Sequence, residues 1–118
     1  NIFFNSSLAS KIKKCKIIEK EKAFCKKLKA KEIYDSADCE TILVQGIIDL
    51  YAITEDDKVI LLDYKTDFIE NGKEEIFAKK YYNQLKIYKQ AIEEALQKEV
   101  TEVYIYSLYL NKEIKLEI

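Results

Sequence analysis

The chain of 118 residues contains no Pro, Met, Trp or His and only two Gly. Arg is absent as well, so all 20 basic residues are Lys. The lack of Pro and scarcity of Gly exclude collagen-like and Pro-rich linker classes. Without His, the chain lacks the usual side-chain base near pH 7 and the commonest imidazole metal ligand. Any metal site must therefore lean on carboxylates, which suit hard ions such as Mg, Mn or Ca. Cys15, Cys25 and Cys39 are an odd number and form no CxxC pair. They read as free thiols of a reducing compartment, the cytoplasm, and a Cys-only zinc site would need a fourth ligand. No window approaches the roughly 18 apolar residues of a membrane span. Residues 1–10 lack the basic start and long apolar core of a signal peptide. The chain opens on Asn1 with no Met anywhere, so we expect a processed protein or a piece of a longer one.

What is present fits one domain with a core of its own. Hydrophobic residues make up 48% and aromatics 12%, too many for a disordered chain. The net charge of -1 hides an asymmetry. Residues 11–31 carry ten Lys against Glu19 and Glu21, a local net of +8, and the remainder carries a net of -9. Such a basic segment faces nucleic acid or an acidic partner, or is simply a solvated surface.

Hydrophobic periodicity sets the expected elements. Phe4, Leu8 and Ile12, joined by Phe3, predict a helix over residues 3–14. Residues 15–29 read as strand-like segments, and residues 32–40 as a polar loop. The β-branched run over residues 41–54 predicts a strand with Gly46 inside it. Glu55 to Asp57 turn the chain into a second strand over residues 59–67, which makes a hairpin. After Gly72, a 3.6-residue period through Phe77, Tyr81, Leu85, Tyr88 and Ile92 predicts a long helix to about Lys98. A strand over residues 100–110, a turn at Asn111 and Lys112, and a final strand complete an α/β or α+β domain with a mixed sheet. Tyr104, Tyr106 and Tyr109 read as strand-packing and edge residues.

The hairpin carries the chemistry. Pairing Thr54 with Lys58 across the three-residue turn sets Asp49 directly opposite Asp63, with β-carbons about 5 Å apart. Two bare carboxylates so placed repel, and a divalent cation between them removes the objection. Lys65 shares the face of Asp63, being two residues on along a strand. It can orient or deprotonate a water and stabilise developing negative charge. The plain alternative is a cross-strand ion pair between Asp49 and Lys65, and a one-residue slip would part the acids. On the long helix, Gln84 and Tyr88 are four apart and share a face. They either reach the catalytic edge or serve as a core tyrosine and its boundary neighbour. Lys79, Lys80, Lys86 and Lys89 offer phosphate contacts if they face the same cleft.

Gly46-Ile47-Ile48-Asp49, Leu62-Asp63-Tyr64-Lys65-Thr66-Asp67 and Gln84-Leu85-Lys86-Ile87-Tyr88 together resemble the PD-(D/E)xK nuclease superfamily. More narrowly they resemble its RecB-type nuclease domain, with the pattern GxxD, DYKT and QxxxY. The runs Phe3 to Ala9, Glu21 to Phe24 and Glu40 to Asp49 extend the likeness to nearly the whole chain. The resemblance implies a restriction-endonuclease-like fold, a mixed β-sheet flanked by helices. It implies that Asp49, Asp63 and the backbone carbonyl of Tyr64 hold Mg2+ (or Mn2+). It also implies that Lys65 is the catalytic lysine, and that Gln84 and Tyr88 support the site. Lys65, Thr66, Lys80, Gln84 and Tyr88 would then meet DNA, single-stranded in the intact enzyme. The activity implied is exonucleolytic DNA hydrolysis by a helicase–nuclease in double-strand break repair and recombination, with a partner protein beside it. ATP would act only in motor domains outside this chain, which has no GxxxxGK[ST]. Two departures stand out. A metal-binding His or acid is expected on a helix before Asn1, and the Pro expected near Ala23 is missing. The chain then reads as one domain fragment, able to self-associate through exposed core surface. A stand-alone nuclease of the same superfamily, or an inactive DNA-binding or structural module of the same fold, are the alternatives.

Overall fold

The computed structural model describes residues 7–29, 41–70 and 72–118. Helix α1 (Ser7–Lys13) leads into strand β1 (Ile17–Lys29), then β2 (Thr41–Ile53) and β3 (Val59–Lys65). Helix α2 (Glu74–Leu96) crosses back to β4 (Val100–Ser107), and β5 (Lys112–Leu116) ends the sheet. The five strands lie in the order β1-β2-β3-β4-β5. β3 and β4 are parallel and every other neighbouring pair is antiparallel. The fold is therefore a mixed sheet flanked by two helices, as expected of a restriction-endonuclease-like domain.

β3 explains the layering. Val59, Ile60, Leu61 and Leu62 are all fully buried, because a central strand covered on both faces must be apolar on both. Val59 and Leu61 join Phe77, Leu85 and Ile92 of α2 in one core, and Leu62 joins Leu8, Ala9 and Ile12 of α1 in the other. α2 keeps its period to Leu96 and stops where Gln97 takes a left-handed φ of 55°, its N–H donating to the Glu93 carbonyl at 2.9 Å. That geometry closes an orphan carbonyl of the last turn.

Several boundaries differ from the periodicity reading. α1 ends at Lys13, one residue short of expectation, while Phe3, Phe4 and the expected loop 32–40 lie outside the described residues. The segments expected over residues 15–29 form one strand of 13 residues. It is the outer strand of the sheet, and its Lys residues on both faces blur the alternation while protecting an open edge. β3 stops at Lys65 and β4 at Ser107, each a few residues short of expectation. Tyr106 is core and Tyr104 half-buried, but Tyr109 lies past the end of β4 and is 50% exposed. Among the described residues, no helix is long and apolar enough to cross a membrane.

Candidate active site

The Thr54 N–H donates to the Lys58 carbonyl at 2.8 Å, and the ladder behind it pairs Ile53 with Val59 through Leu50 with Leu62. The next position of that register is Asp49 opposite Asp63. There the backbone ladder gives way to a side chain, as the Tyr64 N–H donates to Asp49 Oδ2 at 2.9 Å. Asp49 is also where β2 changes face. Ile48 packs in the α2-side core and Leu50 in the α1-side core, although two residues apart on a strand should share a face. Across from it, Glu21 has a φ of 52° and is the one position skipped by the β1–β2 register. The twist there parts β2 from β3 and opens a cleft of about 330 Å³ lined by Lys20, Glu21, Asp49, Leu50 and Tyr64.

Asp63 is only 3% exposed. Burial, and then hydrogen bonding with the Asp49 carboxyl, raise its pKa from 3.8 to about 6, against the opposing pull of Lys65. Lys65 Nζ lies 2.9 Å from Asp63 Oδ2. The contact is an ion pair, and this buried oxygen accepts no hydrogen bond. Lys65 therefore pairs with the acid on its own strand rather than across to Asp49. Its ammonium donates to Gln84 Oε1 at 2.9 Å and sits 4.2 Å from the centre of the Tyr81 ring. α2 thus holds the lysine by an amide acceptor and an aromatic face.

Tyr81 was legible only as one apolar-period residue of α2, yet it does more than fill the core. Its hydroxyl donates to Asp67 Oδ2 at 2.7 Å, and Lys80 reaches the same oxygen at 2.9 Å. These two donors, Lys80 first, hold the Asp67 carboxyl below the usual range. Its place was readable in principle, three residues before Gln84 and seven before Tyr88 on one helix face. Tyr88 packs edge-on against Phe24, with ring centroids 5.0 Å apart. Burial, then the Asp63 charge, raise its phenol pKa, which places it beside the acids. Gly46 is required by that pair, since a Cβ there would lie 2.8 Å from Phe24 Cε1 and 3.4 Å from Tyr88 Cε1. Of the remaining sequence candidates, Thr66 is exposed just past β3, and Lys80 is drawn to Asp67 at the rim. Lys89 instead donates to the Ile118 carbonyl at 2.8 Å.

The donor set fits a hard divalent cation. Two carboxylates face each other, and one buried Asp63 oxygen meets the Lys65 ammonium as an ion pair without accepting a hydrogen bond. Mg2+ is commonly held by only one or two carboxylates, with water and substrate phosphate completing the shell. Among the described residues, no group of three or more His, Cys, Asp or Glu could hold a metal.

Known proteins resemble this sequence over nearly its full length. In Clostridium novyi (strain NT), a stretch of the A chain of an ATP-dependent helicase/nuclease is 40% identical and covers 98% of this chain but 10% of that protein. The like-named protein of Clostridium acetobutylicum is 38% identical over 98% of the chain and 9% of its own length. That of Clostridium perfringens (strain SM101 / Type A) is 47% identical over 65% of the chain and 6% of its own length. The chain spans about a tenth of the length of these curated relatives, or less. The PD-(D/E)XK nuclease superfamily pattern matches residues 5–117. That match takes in every element from α1 to β5, so the chain belongs to the PD-(D/E)XK nuclease superfamily.

Proposed function

We propose that this domain hydrolyses DNA phosphodiester bonds with Mg2+, for which Mn2+ can substitute. It would act as the exonuclease domain of an AddA-type helicase/nuclease in double-strand break repair and recombination. An AddB-type protein would be its partner in the cytoplasm, with ATP used by motor domains outside this chain. One observation carries the reading. Asp49 and Asp63 face each other at the end of a hairpin with Lys65 on the same face, and one buried Asp63 oxygen lacks a hydrogen bond.

Asp49 and Asp63 would hold the ion, joined in this reading by the Tyr64 carbonyl. When bound, it supplies Lewis-acid polarisation of the phosphoryl oxygens and a more acidic water. Lys65 brings a positive charge to the place where negative charge grows on the phosphoryl group, a stabilisation that needs no rearrangement during reaction. Gln84 and Tyr81 keep that ammonium aimed, and Tyr88 closes the site toward Phe24 and contacts DNA with Gln84. Lys80 and Thr66 lie along the outgoing strand.

The test is Mg2+-dependent cleavage of end-labelled single-stranded DNA by the full polypeptide, native and Asp63→Ala. Cleavage should drop at least a hundredfold in the variant, and equal cleavage by both would sink the assignment. A second reading, an inactive DNA-binding module, draws on the two-carboxylate donor set. It predicts unchanged DNA affinity with no Mg2+ or Mn2+ binding in the same protein.

A further inference from the structure

β3 and β4 run parallel and end together, and the Leu108 N–H donates to the Lys65 carbonyl at 2.9 Å. Just past those ends sit Phe68 and Tyr109. They are 69% and 50% exposed, yet their ring centroids lie 5.0 Å apart at an interplanar angle of 61°. Single exposed apolar residues are ordinary, but two aromatic rings held together in solvent mark a binding surface. An edge-on pair uses at most one ring face itself, so the remaining faces are left for a ligand.

We propose that Phe68 and Tyr109 form the platform on which an unpaired base of the substrate stacks, so that they select single strands and set the register of the scissile phosphate. This rests on the nuclease reading above. The platform is continuous with the site. Phe68 lies three residues after Lys65, a backbone reach of at most about 11 Å. A stacked strand advances about 3.4 Å per nucleotide, so with the two side chains added the stacked base lies within a few nucleotides of the phosphate at Lys65. The intervening segment is tied down from α2, where the Tyr81 ring lies beside Lys65 Nζ and its hydroxyl binds Asp67, the neighbour of Phe68.

Local charge favours a base over the phosphate backbone as the ligand here. Lys80, Lys73 and Lys112 are paired with Asp67, Glu70 and Glu74 at 2.9, 2.9 and 3.0 Å. The surface around the rings is therefore close to neutral, and aromatic stacking is what it has to offer. In a duplex every base is already stacked and paired, so drawing one onto the platform costs on the order of a hundredfold in binding that a single strand does not incur.

The experiment measures kcat and KM of the full polypeptide on labelled oligothymidylate, with anisotropy of the same oligonucleotide as a binding readout that needs no cleavage. A single abasic site is walked along the strand. For native protein, one abasic position within a few nucleotides of the cut should weaken binding about tenfold. Phe68→Ala with Tyr109→Ala should raise KM about tenfold or more, flatten that abasic profile and leave the salt dependence unchanged. Tyr109→Phe, which keeps the ring, should restore native values. A flat abasic profile in native protein overturns the proposal, as does native KM in the double variant or an equal loss on duplex and single strands. Unchanged KM with altered self-association or altered assembly of the polypeptide assigns the rings to a protein interface and overturns it too. If native protein fails to cleave but the abasic profile is peaked, the hydrolytic reading falls while the platform stands.

Discussion

Ionising Asp63 in the metal-free protein costs free energy, because its carboxyl is buried and hydrogen-bonded beside Asp49. A rise from 3.8 to about 6 corresponds to a penalty on the order of 1–3 kcal/mol once coupling to Lys65 is allowed for. Folded protein binds this proton more tightly than unfolded chain. The site is therefore no burden below the unfolded value, and stability is lost as pH rises through the folded value. Asp63→Asn should thus raise the melting midpoint in chelator by several degrees at neutral pH, with a gain that fades toward pH 4, while cleavage is abolished. Scanning calorimetry of both proteins across that range checks it. Lys65 depends in the same local way on its neighbours. Gln84→Ala removes the acceptor of its ammonium and should lower kcat about 10- to 100-fold with little change in KM, as single-turnover cleavage would show. The paired acids and the lysine were legible because strand register is arithmetic once the turn is placed. Tyr81 was not, because a tyrosine on a helix period looks the same whether it fills the core or supports an ammonium.

At the scale of elements, the β1–β2 ribbon sets the geometry of the site. β2 pairs with β3 only over Leu50–Ile53, so in the backbone ladder its earlier residues pair with β1 alone. Gly46 lets Phe24 of β1 and Tyr88 of α2 close over that ribbon. Gly46→Ala should therefore push the rings apart, destabilise by about 1–3 kcal/mol and lower cleavage, read by urea unfolding and by rate. The hairpin and the long helix were readable from periodicity because their apolar patterns are unbroken. β1 was ambiguous because an edge strand carries lysines on both faces, and the switch of face at Asp49 was invisible because no residue type announces a twist. Of the basic segment, Lys20 lines the cleft with Asp49. Lys20→Gln should weaken single-stranded DNA binding at every sequence and reduce the salt slope by about 0.7, measured by anisotropy from low to moderate salt.

Taken whole, the molecule has a net charge of -1, yet residues 11–31 alone carry a net of +8. The total is thus a poor guide to where a polyanion would settle. The two acids also come from elements of unequal resistance to opening. Asp63 ends the buried run Val59–Asp63 of β3, and Asp49 marks the place where the ribbon leaves it. Were the ribbon to lift locally, the acids would separate and the proposed divalent ion would lose half its carboxylate ligands. On the proposed reading, ion binding and ribbon closure would be one linked equilibrium, and saturating Mg2+ would favour closure by mass action. Backbone amides of residues 22–27 should exchange with deuterium several-fold more slowly when Mg2+ is added, while those of β3 barely change. The cation would then act as a clasp on the fold's least protected arm.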